Sequence, residues 1–138
     1  MARKKTLKKN QTSRTLVLRD QPKSPISEQY RTLRTNLQFS AIDHELKSLI
    51  VTSPSPSEGK STTAANLAIA FAQQGKKVLL VDSDMRKPTT HYTFRVPSTF
   101  GLSNLLIGDK TIEETAQAVN IPNLSLLPCG PVPPNPSE

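Results

Sequence analysis

The sequence of 138 residues contains one cysteine, no tryptophan and few aromatic residues. Because Cys129 stands alone, an internal disulfide and a cysteine metal cluster are excluded, and nothing indicates an oxidising compartment. Long hydrophobic runs are also missing, since runs such as VLLV fall far short of the roughly 20 residues that cross a bilayer. No apolar segment follows the basic N-terminus, as a signal peptide would require. We therefore expect an intracellular chain with no membrane span of its own.

Acidic residues are absent from the first 19 positions, and this absence explains the net charge of +7. Residues 1–19 hold seven Lys or Arg, whereas residues 20–138 hold eleven basic and eleven acidic residues. We interpret residues 1–23 as a flexible basic arm, because they show no apolar periodicity. The arm could contact anionic lipid or nucleic acid, or remain solvated. No aromatic residue interleaves with its charges, so stacking on bases is not expected.

Residues 24–138 have the pattern of an α/β domain that begins with a helix. Ser24 is a candidate N-cap and Pro25 a candidate first helical residue. Apolar residues then recur at spacings of four, three and four, at Ile26, Tyr30, Leu33 and Leu37. This spacing predicts an amphipathic helix over about residues 25–41.

The middle of the chain predicts a strand, a loop, a helix and a second strand. The run KSLIVTS, residues 47–53, is apolar and β-branched and predicts a buried strand. An Ala-rich helix follows and ends near Gly75, and KKVLLVDSD predicts the next strand. Such a β-α-β unit has parallel strands and a right-handed crossover.

The last third predicts short helices over residues 102–106 and 112–119 and a third strand in NLSLLPCG. A proline-rich segment, PVPPNPSE, then departs from regular structure. The expected fold is an α/β, P-loop NTPase-like, doubly wound parallel sheet, incomplete with about three strands. We interpret residues 24–138 as the front of a longer domain.

The loop between the first predicted strand and its helix resembles the phosphate-binding pattern G-x-x-x-x-G-K-S/T. In that pattern backbone N–H groups surround a phosphate, the lysine reaches phosphate oxygens and the hydroxyl binds magnesium. Gly59, Lys60, Ser61 and Thr62 fit the pattern, but Pro54 replaces its first glycine. Prolines offer no N–H to an anion, so a weakened loop is expected. The other interpretation of SEGKST is a polar helix start.

Two aspartates, Asp82 and Asp84, follow the second predicted strand. In a β-α-β unit the carboxyl end of that strand reaches the crevice where phosphates bind, and carboxylates there can hold magnesium or its waters. They could instead cap the following helix. Arg86 and Lys87 could face phosphates or solvent.

Together these segments resemble the bacterial tyrosine kinases (BY-kinases) of capsular and exopolysaccharide operons, in the split form found in Gram-positive bacteria. The resemblance rests on SEQYRTLRTNL, SEGKSTTAANLA, GKKVLLVDSDMRKPTTH, GLSNLL and GPVPPNPSE, which follow one another in the family's order from Ser24 to Glu138. It implies an ATP- and Mg²⁺-dependent protein-tyrosine kinase that phosphorylates itself. Its implied partners are protein substrates and a transmembrane polysaccharide co-polymerase that recruits it to the inner face of the membrane.

The resemblance also implies roles for individual residues. ATP would bind at Pro56, Ser57, Glu58, Gly59, Lys60, Ser61 and Thr62, with Lys60 on the phosphates. Asp82 would help to activate the tyrosine hydroxyl, and Ser61, Asp82 and Asp84 would hold the metal. The family's E-x-x-R-x-x-R motif falls on Glu28, Arg31 and Arg34, which implies a ring-like homo-oligomer. Spacing alone would favour a solvated charged face there.

Two parts of the family pattern are missing, and two other functions stay open. The second acidic strand, Walker B, and the C-terminal tyrosine cluster are absent, and the chain has only Tyr30 and Tyr92. One alternative is a partition or division-site ATPase, although Ser55 stands where that class has a signature lysine. The other is a non-catalytic, nucleotide-binding interaction module.

Overall fold

The computed structural model describes residues 16–41, 45–52 and 59–132. The chain divides into two compact units, Met1–Phe71 and Ala72–Glu138. The described residues of the first unit form α1 (Val17–Asp20), α2 (Pro25–Ser40) and most of α3 (Lys60–Gln73), and residues 45–52 carry no regular structure. The second unit contains a small sheet and three short helices. No helix within the described ranges is long and apolar enough to cross a membrane.

The expectation of a flexible arm over residues 1–23 is wrong for residues 16–20; residues 1–15 lie outside the described part. Leu16 and Leu18 are almost fully buried, and Val17 opens α1. The hydroxyl of Ser27, itself buried, donates to the carbonyls of Val17 (3.1 Å) and Gln21 (2.7 Å). Burial of these aliphatic side chains offsets the entropy lost on ordering the segment. The predicted arm ends at residue 23, whereas the buried segment already begins at Leu16.

Helix α2 begins as predicted, but its apolar stripe does not face inward. The Ser24 hydroxyl accepts a hydrogen bond from the Ser27 amide at 3.2 Å, and Pro25 is the first helical residue. Ser27 is fully buried, whereas Ile26 is 55% and Leu33 39% exposed. At about 100° per residue, Ile26 and Leu33 lie about 100° and 120° around the helix from Ser27. The polar contacts of Ser27, rather than the apolar stripe, therefore mark the buried side.

The strand predicted at residues 47–53 is wrong for its described part, because residues 47–52 carry no regular structure. Ile50 is 89% exposed and Leu49 is 43% exposed. A strand needs a neighbour to satisfy its backbone groups, and these residues appear in no described ladder. The predicted parallel β-α-β unit is therefore not formed. Helix α3, by contrast, ends near Gly75 as expected, and that glycine has a φ of 96°.

The sheet consists of β1 (Val78–Val81), β2 (Gln117–Ala118) and β3 (Leu124–Leu127), in the order β1-β3-β2. The predicted strands at β1 and β3 are confirmed, and they pair in parallel from Val78 with Leu124 to Val81 with Leu127. The third strand is new: β2 pairs with β3 in antiparallel fashion, which makes the sheet mixed rather than all parallel. The α/β class is confirmed.

The helix predicted over residues 112–119 ends early, and its last residues form β2. The structure has α6 (Ile112–Thr115), after which Ala116 adopts an extended conformation with ψ of 137°. Asn123, with a φ of 68°, reverses the chain before β3, and the Val119 amide donates to the Leu124 carbonyl at 3.4 Å. This hairpin lets residues 117–118 satisfy their backbone groups in the sheet.

Two short helices, α4 (Thr90–Phe94) and α5 (Leu102–Leu106), lie between β1 and α6. Helix α5, predicted over residues 102–106, is confirmed. The start of α5 and the residues after β3 contact each other through backbone: the Leu102 amide donates to the Pro128 carbonyl at 2.8 Å, and the Ser103 amide to that of Cys129 at 2.9 Å. Gly101 permits this approach, since a Cβ there would lie 2.0 Å from the Pro128 oxygen. The GLSNLL and PCGP segments therefore pack directly against each other through their backbones.

Candidate functional site

Helix α3 begins directly after a glycine in a left-handed conformation. Gly59 adopts a φ of 78°, and no atom of the described residues lies within 4 Å of the position that a Cβ would occupy. Helix α3 begins at the next residue, Lys60, and the Thr63 amide donates to the Gly59 carbonyl at 2.8 Å. Lys60, Ser61 and Thr62 are all partly exposed. The remaining predicted loop residues, Pro56, Ser57 and Glu58, lie outside the described residues, as does Pro54.

Asn66 was missed by the sequence reasoning, although it is 1% exposed and supports this turn. Its side-chain amide donates to the Thr62 carbonyl at 3.0 Å, and its oxygen accepts from the Leu18 amide at 3.4 Å. Asn66 thus connects the first turns of α3 to the buried segment before α2. The available signal was a single asparagine within an Ala-rich helix, where asparagine is otherwise unfavourable.

Asp82 follows β1 directly and is held on both carboxylate oxygens. Its amide donates to the Leu127 carbonyl at 3.0 Å, so the ladder to β3 continues through it. Oδ1 accepts from the Asp84 amide at 3.1 Å, and Oδ2 accepts from the amide of Thr90, the first residue of α4, at 3.3 Å. Because the residue is only 5% exposed, its geometry is that of a side chain that orders its own loop.

Asp84 uses one oxygen for the loop and leaves the other available. Oδ1 accepts from the amides of Arg86 (3.2 Å) and Lys87 (3.0 Å), whereas Oδ2 has no hydrogen bond to the described residues. Arg86 and Lys87 are exposed. Only Asp82 therefore makes the helix-capping contact considered as the alternative, because Arg86 and Lys87 lie outside any helix. Asp84 also retains an oxygen and partial exposure for a further ligand.

The carboxyl ends of β1 and β3 meet near these aspartates. Cys129, two residues after β3, is fully buried there. Burial raises the pKa of the Cys129 thiol, and the negative charges of Asp82 and Asp84 raise it further. These effects favour the protonated thiol over the reactive thiolate.

The carboxylates fit a magnesium ion that arrives with a phosphate ligand better than a resident metal. Residues 16–41, 45–52 and 59–132 hold no group of three or more His, Cys, Asp or Glu side chains that could form a cage. Magnesium typically uses one or two protein carboxylates, substrate phosphates and water. The free oxygen of Asp84 is suited to that limited role.

The three residues of the predicted oligomer motif do not form one free surface. Arg31 pairs with Glu28 at 3.3 Å and also donates to the Pro22 carbonyl. Arg34 donates to the Ala70 carbonyl of α3 at 2.7 Å, while its Nε is buried without a hydrogen-bond partner. The Glu28 side chain is 71% exposed. Only Glu28 is thus largely available to a partner; Arg34 is engaged within its own unit.

A groove of about 670 Å³ lies in the second unit, lined by the amino ends of β1 and β3 and by residues 112, 116 and 118–123. Its lining includes Lys77, Val78, Leu79, Leu124 and Ser125. Asp82 and Asp84, at the opposite ends of the strands, do not line it. The groove is therefore separate from the predicted aspartate site.

Comparison with known proteins places the chain in a family. Residues 57–131 match the model of the AAA domain. The tyrosine-protein kinase YwqD of Bacillus subtilis is 52% identical over 135 residues, which cover 96% of this chain and 57% of YwqD. The crystal structure of the chimerical protein CapA2B2 has 50% identity and a TM-score of 0.83, covering 89% of this chain and 54% of that one. The kinase domain of Escherichia coli ETK is 33% identical with the same TM-score, covering 89% and 48%.

The alternative of a division-site ATPase has weaker support. The septum site-determining protein MinD of Pyrococcus horikoshii, solved with Mg-ADP, has a TM-score of 0.55 and 30% identity over 62% of this chain and 35% of MinD. The resemblance to bacterial tyrosine kinases, by contrast, is confirmed by sequence and fold together, although the chain spans little more than half of YwqD. The chain belongs to the AAA-domain family, and relatives that it matches over almost its whole length are named tyrosine-protein kinases.

Proposed function

We propose that this chain is the nucleotide-binding part of an ATP-dependent protein-tyrosine kinase that phosphorylates itself. The observation that carries the proposal is the left-handed turn at Gly59, with open space around it, immediately before a 14-residue helix that begins at Lys60. A glycine turn followed by a helix N-terminus directs backbone N–H groups toward an anion. The sequence places a lysine and two hydroxyl residues at that helix start.

In this proposal the first unit holds the phosphates of ATP. Lys60 neutralises β- and γ-phosphate oxygens, and the hydroxyl of Ser61 is a magnesium ligand, as the family resemblance implies. Gly59 and Thr62 would offer backbone groups to the phosphates, as the family resemblance implies. Bound Mg-ATP supplies the phosphoryl group and the ion that neutralises its charge. Asn66 supports the geometry by fixing the Thr62 carbonyl.

The aspartates of the second unit divide the remaining work. The family resemblance implies that Asp84 would help to hold the metal, and its Oδ2 has no hydrogen bond to the described residues. Asp82 holds the loop through the amides of Asp84 and Thr90. Its implied second role, accepting the proton of a tyrosine hydroxyl, would require a substrate to reach a side chain that is only 5% exposed. The geometry therefore favours Asp82 first as a positioning residue.

The biological setting follows from the family. We propose that the kinase serves capsular or exopolysaccharide assembly and acts on tyrosines of protein substrates. Its proposed activator is a transmembrane polysaccharide co-polymerase, which recruits it from the cytoplasm to the inner face of the membrane. The basic residues before position 16 could add attraction to anionic lipid of about 1 kcal/mol per charge.

Self-association is the second part of the proposal, and it now depends mainly on Glu28. Glu28 is exposed and could pair with a basic residue of a second copy, whereas Arg34 holds α3. Substituting Glu28→Ala is expected to reduce the mass of the assembly and leave the unfolding midpoint unchanged. Sedimentation velocity measures the mass. An unchanged mass would remove Glu28 from the interface.

Phosphotransfer tests the central function. The chain would be incubated with Mg²⁺ and γ-labelled ATP, and phosphotyrosine would be quantified in the wild type, in Lys60→Met and in Asp84→Asn. We expect labelling in the wild type and loss of labelling in both variants. Nucleotide binding without phosphotransfer in the wild type would instead support the non-catalytic interaction module.

A further inference from the structure

We propose that Tyr92 is a phosphorylation site, modified by another copy of the kinase. This inference deepens the proposed function and rests on it. The residue is 65% exposed and lies on the five-residue helix α4. Its hydroxyl would attack the γ-phosphorus of ATP, the bond to the bridging oxygen would break, ADP would leave with the electron pair, and the phenolic proton would pass to solvent or a carboxylate.

The choice of acceptor within this chain is narrow, because the sequence has two tyrosines, Tyr30 and Tyr92. Tyr30 is half-buried and lies within the 16-residue helix α2. A kinase must bring the acceptor hydroxyl to the γ-phosphate, so an exposed side chain on a short element is the better acceptor. Helix α4 is short and ends at Arg95, whose φ is 56°.

The surroundings of Tyr92 also favour the product. From Met85 to Gly108 the sequence has no Asp or Glu, whereas Arg86, Lys87 and Arg95 are exposed. The Tyr92 ring lies against that of His91, with centroids 4.0 Å apart. A phosphotyrosine carries a charge of about −1.5 to −2 at pH 7 and is stabilised by nearby cations rather than by acids. The segment therefore offers a basic environment to the new phosphate.

The position of Tyr92 links this modification to the aspartate loop. The Thr90 amide, two residues before Tyr92, donates to Asp82, and the amides of Arg86 and Lys87 donate to Asp84. Arg86 and Lys87 are also the basic residues that precede Tyr92 in this segment. Phosphorylation would therefore act on the loop that contains both predicted site aspartates.

The test maps phosphotyrosine by mass spectrometry in the wild type, Tyr92→Phe and Tyr30→Phe. Each chain is incubated with Mg-ATP alone and, in a second tube, with a preparation of YwqD that is verified to phosphorylate itself. Phenylalanine keeps the ring beside His91, and circular dichroism checks each fold. We expect phosphate on Tyr92 in the wild type and in Tyr30→Phe, and loss of most phosphotyrosine in Tyr92→Phe.

The two tubes separate the failure of this site from the failure of the proposed function. Labelling of Tyr92 by YwqD, with no labelling in the chain alone, would retain the acceptor site and count against kinase activity of the chain. Labelling of Tyr30 in place of Tyr92 would retain the activity and overturn the site. Absence of phosphate from Tyr92 in both tubes would also overturn it.

Discussion

Individual side chains at the carboxyl end of β1 divide into two kinds. Asp82 is buried with both oxygens bound to backbone amides, and Asp84 is half-buried with one oxygen available. Asp82 and Asp84, which lie on either side of Ser83, therefore differ in how many of their oxygens are available to a ligand. The difference arises from the fold, because the Thr90 amide donates to Asp82 and not to Asp84.

The substitution Asp82→Asn is expected to destabilise the fold more than Asp84→Asn. An amide at position 82 retains one acceptor but places N–H₂ against a backbone N–H, a loss of about 1–3 kcal/mol for a buried group. In Asp84→Asn the remaining oxygen can still accept from Arg86 and Lys87. Urea unfolding of the two variants measures the comparison. Equal free energies of unfolding would show that Asp82 does not hold the loop.

A second residue-scale prediction concerns Gly101, where the chain crosses the residues after β3. A Cβ at Gly101 would lie 2.0 Å from the Pro128 oxygen and 2.6 Å from the Gly130 nitrogen. Because backbone cannot rotate away as a side chain can, Gly101→Ala should cost more than about 2 kcal/mol. Gly108→Ala is the control, since its φ of 76° costs about 1–2 kcal/mol but nothing lies within 4 Å. Similar thermal midpoints in the two variants would contradict the crossing.

At the scale of elements, helix α6 depends on a reciprocal cap between Thr111 and Glu114. The Glu114 amide donates to the Thr111 hydroxyl at 3.3 Å, and the Thr111 amide donates to the Glu114 carboxylate at 3.1 Å. The hydrogen bond from the Thr111 backbone lowers the pKa of Glu114, with smaller lowering from the Thr111 hydroxyl and Lys110. The ionised form of Glu114 therefore stabilises the start of α6.

This cap gives a pH-dependent prediction. Because the folded pKa of Glu114 is depressed, its stabilisation is present above the unfolded pKa of about 4.3 and is lost as pH falls through the folded value. The difference in unfolding midpoint between wild type and Glu114→Gln should thus be present at pH 7 and shrink below pH of about 4. Glu113→Gln is the control, and it should follow the wild type throughout. A constant difference down to pH 3 would remove the carboxylate's charge from the explanation.

Elements with local signals could be predicted from the sequence, and elements that depend on distant partners could not. The Ser24–Pro25 cap, the Ala-rich run of α3 and the apolar runs of β1 and β3 each specify their own structure. Residues 47–52 have the composition of a strand, but a strand forms only where a neighbouring strand pairs with it, and these residues carry no regular structure. Residues 117–118 have a weak signal and become a strand because Asn123 returns β3 beside them.

The site shows the same division. Gly59 and Lys60 could be assigned because their motif acts through local backbone geometry, and the structure gives Gly59 the left-handed φ that such a turn needs. The hydrogen bonds of Asn66 and Thr90, in contrast, join residues that are 48 and 8 positions apart in the sequence. No local sequence pattern predicts them. The burial of the Ser27 side of α2 could not be predicted for the same reason.

For the molecule as a whole, the chain spans 57% of YwqD, and the sheet is correspondingly small. Strand β1 pairs with β3 on one side, and no described strand pairs with its other side. Leu79 and Val81 are each 41% exposed. The unpaired side of β1 is a place where further strands add to a sheet. Leu79 and Val81 expose their side chains on one face of the strand. Gly59, with its left-handed φ, nevertheless lies within the described residues.

The most direct test of the account is calorimetric titration of ATP with Mg²⁺ into the wild-type chain and into Lys60→Met. We expect saturable binding of ATP to the wild type and no measurable binding to the variant, because Lys60 supplies the mobile positive charge that the phosphates require. Circular dichroism would establish that the variant is folded. Equal affinities in the two folded proteins, or no binding to either, would contradict the assignment of the phosphate site.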